Sequence, residues 1–185
     1  MDKSQEILYA TETNKIINTI GKMGLDDAQQ KHAEHLVKDF RNAFKSKDVR
    51  RMTFPDEELT PQVAVRMWHS DGFCRASSIA FCTLMGGEEN GWRLMAIPDM
   101  FAPYGPHYYI LHTPSNTILD LTADQFTHYS SLQDIPYKCG KPAFDKVVEH
   151  DSPANFAATL GINLVKESKK QKTLYMKNAK TGTGR

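Results

Sequence analysis

The segment between residues 70 and 121 constrains the fold more than any other part of the chain. A sharp turn is expected at residues 70–72, followed by a helix that the two glycines at 86–87 would end. Three strand-like runs follow the helix, at residues 92–97, 107–111 and 116–121. A helix followed closely by short strands predicts an α+β fold with an antiparallel sheet packed on that helix.

The N-terminal region has the apolar spacing of helices. Residues 5–23 carry a plausible apolar stripe, and Gly24 is expected to end that helix. A second helix is expected from Asp26 and Asp27 to about Lys45, because its apolar residues also recur at helical spacing. The two N-terminal helices would either pair as a hairpin or pack on the domain that follows.

Three regions are therefore expected along the chain. Residues 1–50 would be an N-terminal helical region, and residues 51–165 the core domain. Residues 46–62, which span the boundary between these two regions, are predicted to be a linker or irregular lead-in, and residues 153–160 a short helix. Residues 166–185 are rich in lysine, and we expect them to form a basic, disordered tail.

Composition excludes several functional classes. The net charge of +1 gives no overall field that would attract nucleic acid, although the basic tail could contact phosphates. Three cysteines at wide spacing form neither a disulfide framework nor a zinc motif, and the two histidines near residue 33 are three apart rather than four. We expect a cytoplasmic protein without a membrane span, a metal or another cofactor.

Cys74 lies where the sequence would favour a thiolate. Free thiols titrate near pH 8.5, so a nucleophilic cysteine needs help from its surroundings. The predicted turn at residues 70–72 places Cys74 at or near a helix N-terminus, where backbone N–H groups and the helix dipole favour negative charge. The same N–H groups could hold an oxyanion.

His107 and Asp120 are the expected partners of Cys74. If residues 112–115 form a four-residue hairpin loop, His107 lies directly opposite Asp120 with both side chains on one face. Asp120 would then orient the imidazole while His107 accepts the thiol proton. A two-residue loop would instead place Asp120 opposite Leu111 and separate the pair.

Each of these residues also has an ordinary structural explanation. A lone cysteine on an apolar helix is usually a small buried hydrophobic residue, which is what we expect of Cys82. An aspartate ending a strand is often a turn residue, and a histidine beside a loop is often simply hydrogen-bonded. The order of Cys74, His107 and Asp120 on a helix and two successive strands favours the catalytic interpretation.

Three sequence blocks together resemble the core of transglutaminase-like proteins, within the papain-like cysteine superfamily. They are GFCRASSIAFCTLMGG at 72–87, PHYYILH at 106–112 and ILDLTADQF at 118–126. The last block is similar to small, poorly characterised bacterial members, and the resemblance covers residues 62–130. It implies a Cys74–His107–Asp120 triad. The chain departs from the family in having Tyr108-Tyr109 after the histidine, where Ala-Trp or a similar pair is common.

The cleft around the triad has four candidate residues. Phe101 and Tyr104 belong to a Pro- and Gly-rich loop just before His107, and this loop could shape or cover the cleft. Trp68 and His69 lie shortly before Cys74 and are the nearest side chains that could line the cleft or assist an oxyanion.

The expected function is acyl transfer by a cysteine nucleophile. Hydrolysis of a peptide or other amide bond is the first expectation, which would make the chain a thiol protease or related hydrolase. Transfer of the acyl group to an amine, a transglutaminase outcome, is the second. A non-catalytic binding module on the same fold is the alternative from another class. The expected partner is a peptide, a protein or a small amide.

Overall fold

The structure is a computed structural model that describes residues 3–55, 69–98, 106–126, 135–143, 151–164 and 166–167. Three of the expected cleft residues, Trp68, Phe101 and Tyr104, lie outside these residues, as does nearly all of the basic tail. Within the described ranges, no helix is long and apolar enough to cross a membrane.

The described part of the chain has five α-helices and one four-stranded antiparallel sheet. The helices are α1 Lys3–Ile20, α2 Asp27–Phe44, α3 Lys47–Thr53, α4 Cys74–Leu84 and α5 Asp151–Thr159. The strands are β1 Trp92–Ile97, β2 His107–His112, β3 Thr117–Leu119 and β4 Lys141–Pro142, in the order β3-β2-β1-β4. Short 3-10 turns include residues 123–126 and 137–139. The predicted α+β class is confirmed.

The expectation of an irregular lead-in is wrong for residues 47–53, which form α3. Ser46 begins this helix, because its hydroxyl accepts a hydrogen bond from the backbone N–H of Val49 at 3.3 Å. The charged residues of this short segment hide its helical character, since only a few of its side chains are buried. Helix α2 begins as expected, with the Asp26 carboxylate accepting from the Gln29 N–H at 2.8 Å.

The expected hairpin register is wrong by two residues. Leu111 pairs with Ile118 and His112 with Thr117, so the loop is residues 113–116 rather than 112–115. Asn116 ends this loop with a positive φ of 50°, a left-handed conformation that asparagine tolerates and a β-strand cannot contain. Because strand side chains alternate with a period of two, a two-residue shift preserves which residues share a face.

One hydrophobic core joins the N-terminal helices to the sheet. It includes buried residues of α1 and α2, the apolar buried residues of α4, and inward residues of β1, β2 and β3. Phe44 of α2 stacks on Phe73, directly before α4, with ring centroids 4.6 Å apart. The helices α1 and α2 therefore pack both on each other and on the rest of the fold, while the division of the chain into domains at residue 50 stays a prediction.

A buried arginine ties the N-terminal helices to the turn after β3. Arg41 of α2 donates to both carboxylate oxygens of Asp124, at 2.6 and 3.2 Å, and to the Leu121 carbonyl at 3.0 Å. Its guanidinium also donates to the Tyr9 carbonyl at 3.0 Å and lies over the Tyr9 ring. Both charged side chains are 2% exposed, so each neutralises the buried charge of the other.

Replacing Arg41 with alanine is expected to lower the free energy of unfolding by about 3–5 kcal/mol, because it removes the positive charge that neutralises the buried Asp124 carboxylate. The double variant Arg41→Met with Asp124→Leu removes both charges and should lose less. Urea denaturation measures both losses.

Arg51→Ala is the matched control, because Arg51 and its partner Asp48 are 69% and 86% exposed and should contribute less than about 1 kcal/mol. A loss in Arg41→Ala no larger than in this control would contradict the structural role given to the buried pair.

Candidate active site

Cys74 is the first residue of helix α4. The helix begins from Phe73 without a side-chain cap, and its first turn contains no acidic residue. Backbone N–H groups at a helix start have no partners within the helix, and the positive end of the helix dipole lies there. Cys74 therefore lies where a thiolate, and an oxyanion formed beside it, would be stabilised.

The turn before Cys74 is held by Arg50 of α3. The Arg50 guanidinium donates to the Asp71 carbonyl and lies 4.8 Å from the centre of the Phe73 ring. Gly72 has a φ of 78°, which residues with a side chain rarely adopt. Phe73 is fully buried in the core, so the turn that presents Cys74 is fixed on both sides.

His107 links the cysteine to Asp120. It is the first residue of β2, and the Cys74 thiol lies close enough to its ring to help raise the pKa of His107. Its Nε2 lies 2.7 Å from Asp120 Oδ2, and both side chains are almost completely buried. Extended to these residues, the observed register sets Asp120 diagonally from His107 rather than directly opposite. Side chains in this diagonal relation share a face and remain within reach of each other.

Asp120 is surrounded by hydrogen-bond donors. The Thr122 backbone N–H donates to Oδ1 at 2.9 Å, and the Thr122 hydroxyl lies 3.3 Å from the same oxygen. The Tyr137 hydroxyl donates to Oδ2 at 2.7 Å. These contacts satisfy a carboxylate that is 7% exposed, and they fix the direction in which it faces His107.

The pair is arranged to hold opposite charges. Burial alone would lower the pKa of His107, but the Asp120 charge, its hydrogen bond and the contact with Cys74 raise that pKa to about 10. Burial raises the pKa of Asp120, and the charge and hydrogen bond of His107, with those of Thr122 and Tyr137, more than reverse this, so that pKa is lowered. Opposite charges at hydrogen-bond distance account for both directions.

Tyr109, two residues after His107, supports the segment that contains Tyr137. Its side chain lies on the same face of β2 as His107, and its hydroxyl donates to the Tyr137 carbonyl at 3.1 Å. A Cβ at Gly140 would lie 1.9 Å from that hydroxyl, so only glycine allows the close approach. Tyr109 thus positions the segment whose Tyr137 side chain binds Asp120.

Two residues next to the triad were not singled out from the sequence. Gln125 Nε2 lies 3.1 Å from His107 Nδ1, the ring nitrogen that does not face Asp120. Phe126 meets the His107 ring edge-on, with ring centroids 4.6 Å apart at an interplanar angle of 89°. The sequence could have indicated them only through their position five and six residues after Asp120. In the structure they follow the turn that Arg41 contacts.

The structure brings together Cys74, His107 and Asp120, and it places His69 beside α1. His69 Nε2 lies 3.0 Å from Glu6 Oε1, and its ring meets the Tyr9 ring edge-on. A cleft role for His69 stays a prediction. Cys82 is 7% exposed, which confirms the expected buried cysteine, and burial raises its pKa well above the usual range.

Comparison with protein-family models, with curated proteins and with solved structures finds no match to this chain. The resemblance to transglutaminase-like proteins therefore rests on the sequence motifs alone, and the arrangement around Cys74 must be judged by its own geometry.

Asp120→Asn is expected to lower the pKa of His107 well below about 10, because burial of the ring is then offset only by the Cys74 thiol and no longer by the Asp120 charge. Nitrogen-detected NMR titration of the His107 ring measures this shift directly.

Asp39→Asn is the matched control, since it removes a carboxylate from an exposed His–Asp contact, His35 Nε2 to Asp39 Oδ2 at 3.2 Å, far along the sequence from the triad. It should leave the His107 titration unchanged. An Asp120→Asn protein whose His107 titrates as in the wild type would contradict the assigned pair.

Proposed function

We propose that the chain is a cysteine-dependent acyl-transfer enzyme in which Cys74, His107 and Asp120 form the catalytic triad. The observation that carries the proposal is the buried His107 ring, whose Nε2 lies 2.7 Å from Asp120 Oδ2 and whose pKa is raised in part by the Cys74 thiol. A nucleophile, a base and a group that orients the base are the three parts such chemistry requires.

The reactive state is the one in which the Cys74 proton resides on His107, and the raised pKa of that ring favours this state. The Cys74 sulfur then attacks a carbonyl carbon, and the carbonyl oxygen becomes an oxyanion that the N–H groups at the start of α4 can bind. Collapse of this intermediate breaks the bond to the leaving group, which takes the proton from His107. The acyl group remains on sulfur as a thioester, and Asp120 stays ionised throughout.

Water or an amine completes the cycle. His107 removes a proton from the incoming nucleophile, which attacks the thioester and releases the acid or a new amide, while the sulfur takes the proton back. Hydrolysis of a peptide or other amide bond is the first choice of reaction, and transfer to an amine is the second. In keeping with the sequence resemblance, the proposal places the chain beside the transglutaminase-like and papain-like enzymes.

Structural and chemical features favour catalysis over a purely structural cysteine. Cys74 is partly exposed, whereas Cys82 of the same helix is buried and its raised pKa disfavours the thiolate. A buried histidine and a buried aspartate are costly to desolvate, and they are retained here next to an accessible thiol.

An activated ester, p-nitrophenyl acetate, tests the proposal without knowledge of the natural substrate. The wild-type protein should release p-nitrophenolate in a burst and gain one acetyl group on Cys74, detected by mass spectrometry of its peptides. In the His107→Ala variant, Cys74 should be acetylated on the order of 100- to 10,000-fold more slowly, which is the usual contribution of a general base. Addition of a primary amine distinguishes the two reactions, because amine transfer yields an N-substituted acetamide in place of acetate.

Cys139→Ser is the matched control, because Cys139 is a partly exposed thiol near the sheet edge whose loss should leave the burst intact. Cys74→Ala should abolish the burst. Acetylation of Cys74 at equal rates in the wild type and in His107→Ala would favour a binding module on this fold and contradict the enzyme.

A further inference from the structure

Gln125 contacts His107 Nδ1, the ring nitrogen that the proposed reaction requires. Its Nε2 lies 3.1 Å from His107 Nδ1 and 3.2 Å from Thr122 Oγ1. Because His107 Nε2 is engaged by Asp120, Nδ1 is the ring nitrogen that remains for the Cys74 proton. The proton transfer in the proposed reaction therefore uses the ring nitrogen that the Gln125 amide contacts.

The hydrogen-bond directions around this nitrogen can be assigned from the donors available. The Asp120 carboxylate only accepts, so the His107 Nε2–H and the Thr122 hydroxyl can both donate to it. The Thr122 oxygen is then an acceptor for one N–H of Gln125, and the other N–H of that amide donates to Nδ1. When the imidazole is neutral, every donor in this ring of four side chains has an acceptor.

Protonation of His107 Nδ1 disrupts this arrangement of hydrogen bonds. An imidazolium carries a hydrogen on Nδ1, which faces the amide N–H of Gln125 instead of an acceptor. If the amide turns over, its oxygen can accept from Nδ1, but the Thr122 hydroxyl must then give up its bond to Asp120 or face a second acceptor. Either way, charging the ring costs a hydrogen bond that the neutral ring has.

We propose, on the basis of the function given above, that Gln125 is a positioning residue that restrains ionisation of the Cys74–His107 pair by competing with the thiol for the lone pair on His107 Nδ1. The restraint acts on the first proton transfer, so it sets how much reactive thiolate the protein holds at a given pH.

The groups that face His107 oppose this restraint without removing it. They are the Cys74 thiol at the start of α4, the Asp120 carboxylate after β3, and the Tyr137 hydroxyl, which acts through Asp120. Hydrogen bonds to charged groups are stronger than those between neutral ones, so Asp120 outweighs the neutral amide. Gln125 therefore shifts the balance between the neutral and charged pairs rather than deciding it.

The pH dependence of Cys74 alkylation by iodoacetamide tests the proposal. Gln125→Ala removes the competing donor, so its rate profile should move to lower pH, with a roughly three- to tenfold faster rate on the acid side. Gln125→Glu places an acceptor beside Nδ1 and should shift the profile further in the same direction. NMR titration of the His107 ring should show the same order of proton affinities.

Gln30→Ala is the matched control, because Gln30 is a partly buried glutamine whose amide binds Glu34 in α2. It should leave the profile unchanged. A slower rate in Gln125→Ala with a wild-type rate in Gln125→Glu would show that the amide oxygen, not the nitrogen, faces the ring, and would overturn the proposal. Slower rates in both variants would indicate a packing role and would also overturn it.

His107→Ala separates failure of this inference from failure of the proposed function. If it slows alkylation of Cys74 on the acid side while the Gln125 variants leave the profile unchanged, only the role of Gln125 is refuted. If His107→Ala leaves alkylation unchanged, the Cys74–His107 pair itself is refuted.

Discussion

The buried contact between Arg41 and the turn after β3 is the constraint on which the site depends. Arg41 fixes the Leu121 carbonyl at one end of that turn and the Asp124 carboxylate at the other. Asp120 comes just before this turn and Gln125 just after Asp124, so an arginine from α2 helps to position two of the residues that contact the His107 ring. The N-terminal helices thus support the candidate site, although none of the proposed reacting atoms belongs to them.

The sequence was sufficient for the central pairing but not for its register. The loop was placed one residue too early, because His112 reads equally well as the end of a strand or the start of a loop, and the positive φ of Asn116 is a property of the folded chain. The alternation of strand side chains made the error harmless, since a shift of two residues moves Asp120 along the face and leaves it within reach of His107.

What the sequence did not predict depends on contacts distant along the chain. Tyr137 reaches Asp120 because Tyr109 and Gly140 hold its segment, and nothing within residues 135–139 signals this. Gln125 was visible in the block after Asp120, yet its role follows only from the angle at which the turn meets His107. Helices and strands follow local periodicity, whereas the groups around a reacting atom follow from packing between elements.

The central claim is that Cys74 and His107 exchange one proton as a unit. The ultraviolet absorbance of the thiolate, taken as the difference between the wild type and Cys74→Ser across a pH titration, measures this most directly. We predict that the Cys74 thiolate persists to lower pH in the wild type than in His107→Ala. The loss of the thiolate should coincide with a change in the protonation of the His107 ring. Identical thiolate titrations in the two proteins would contradict it.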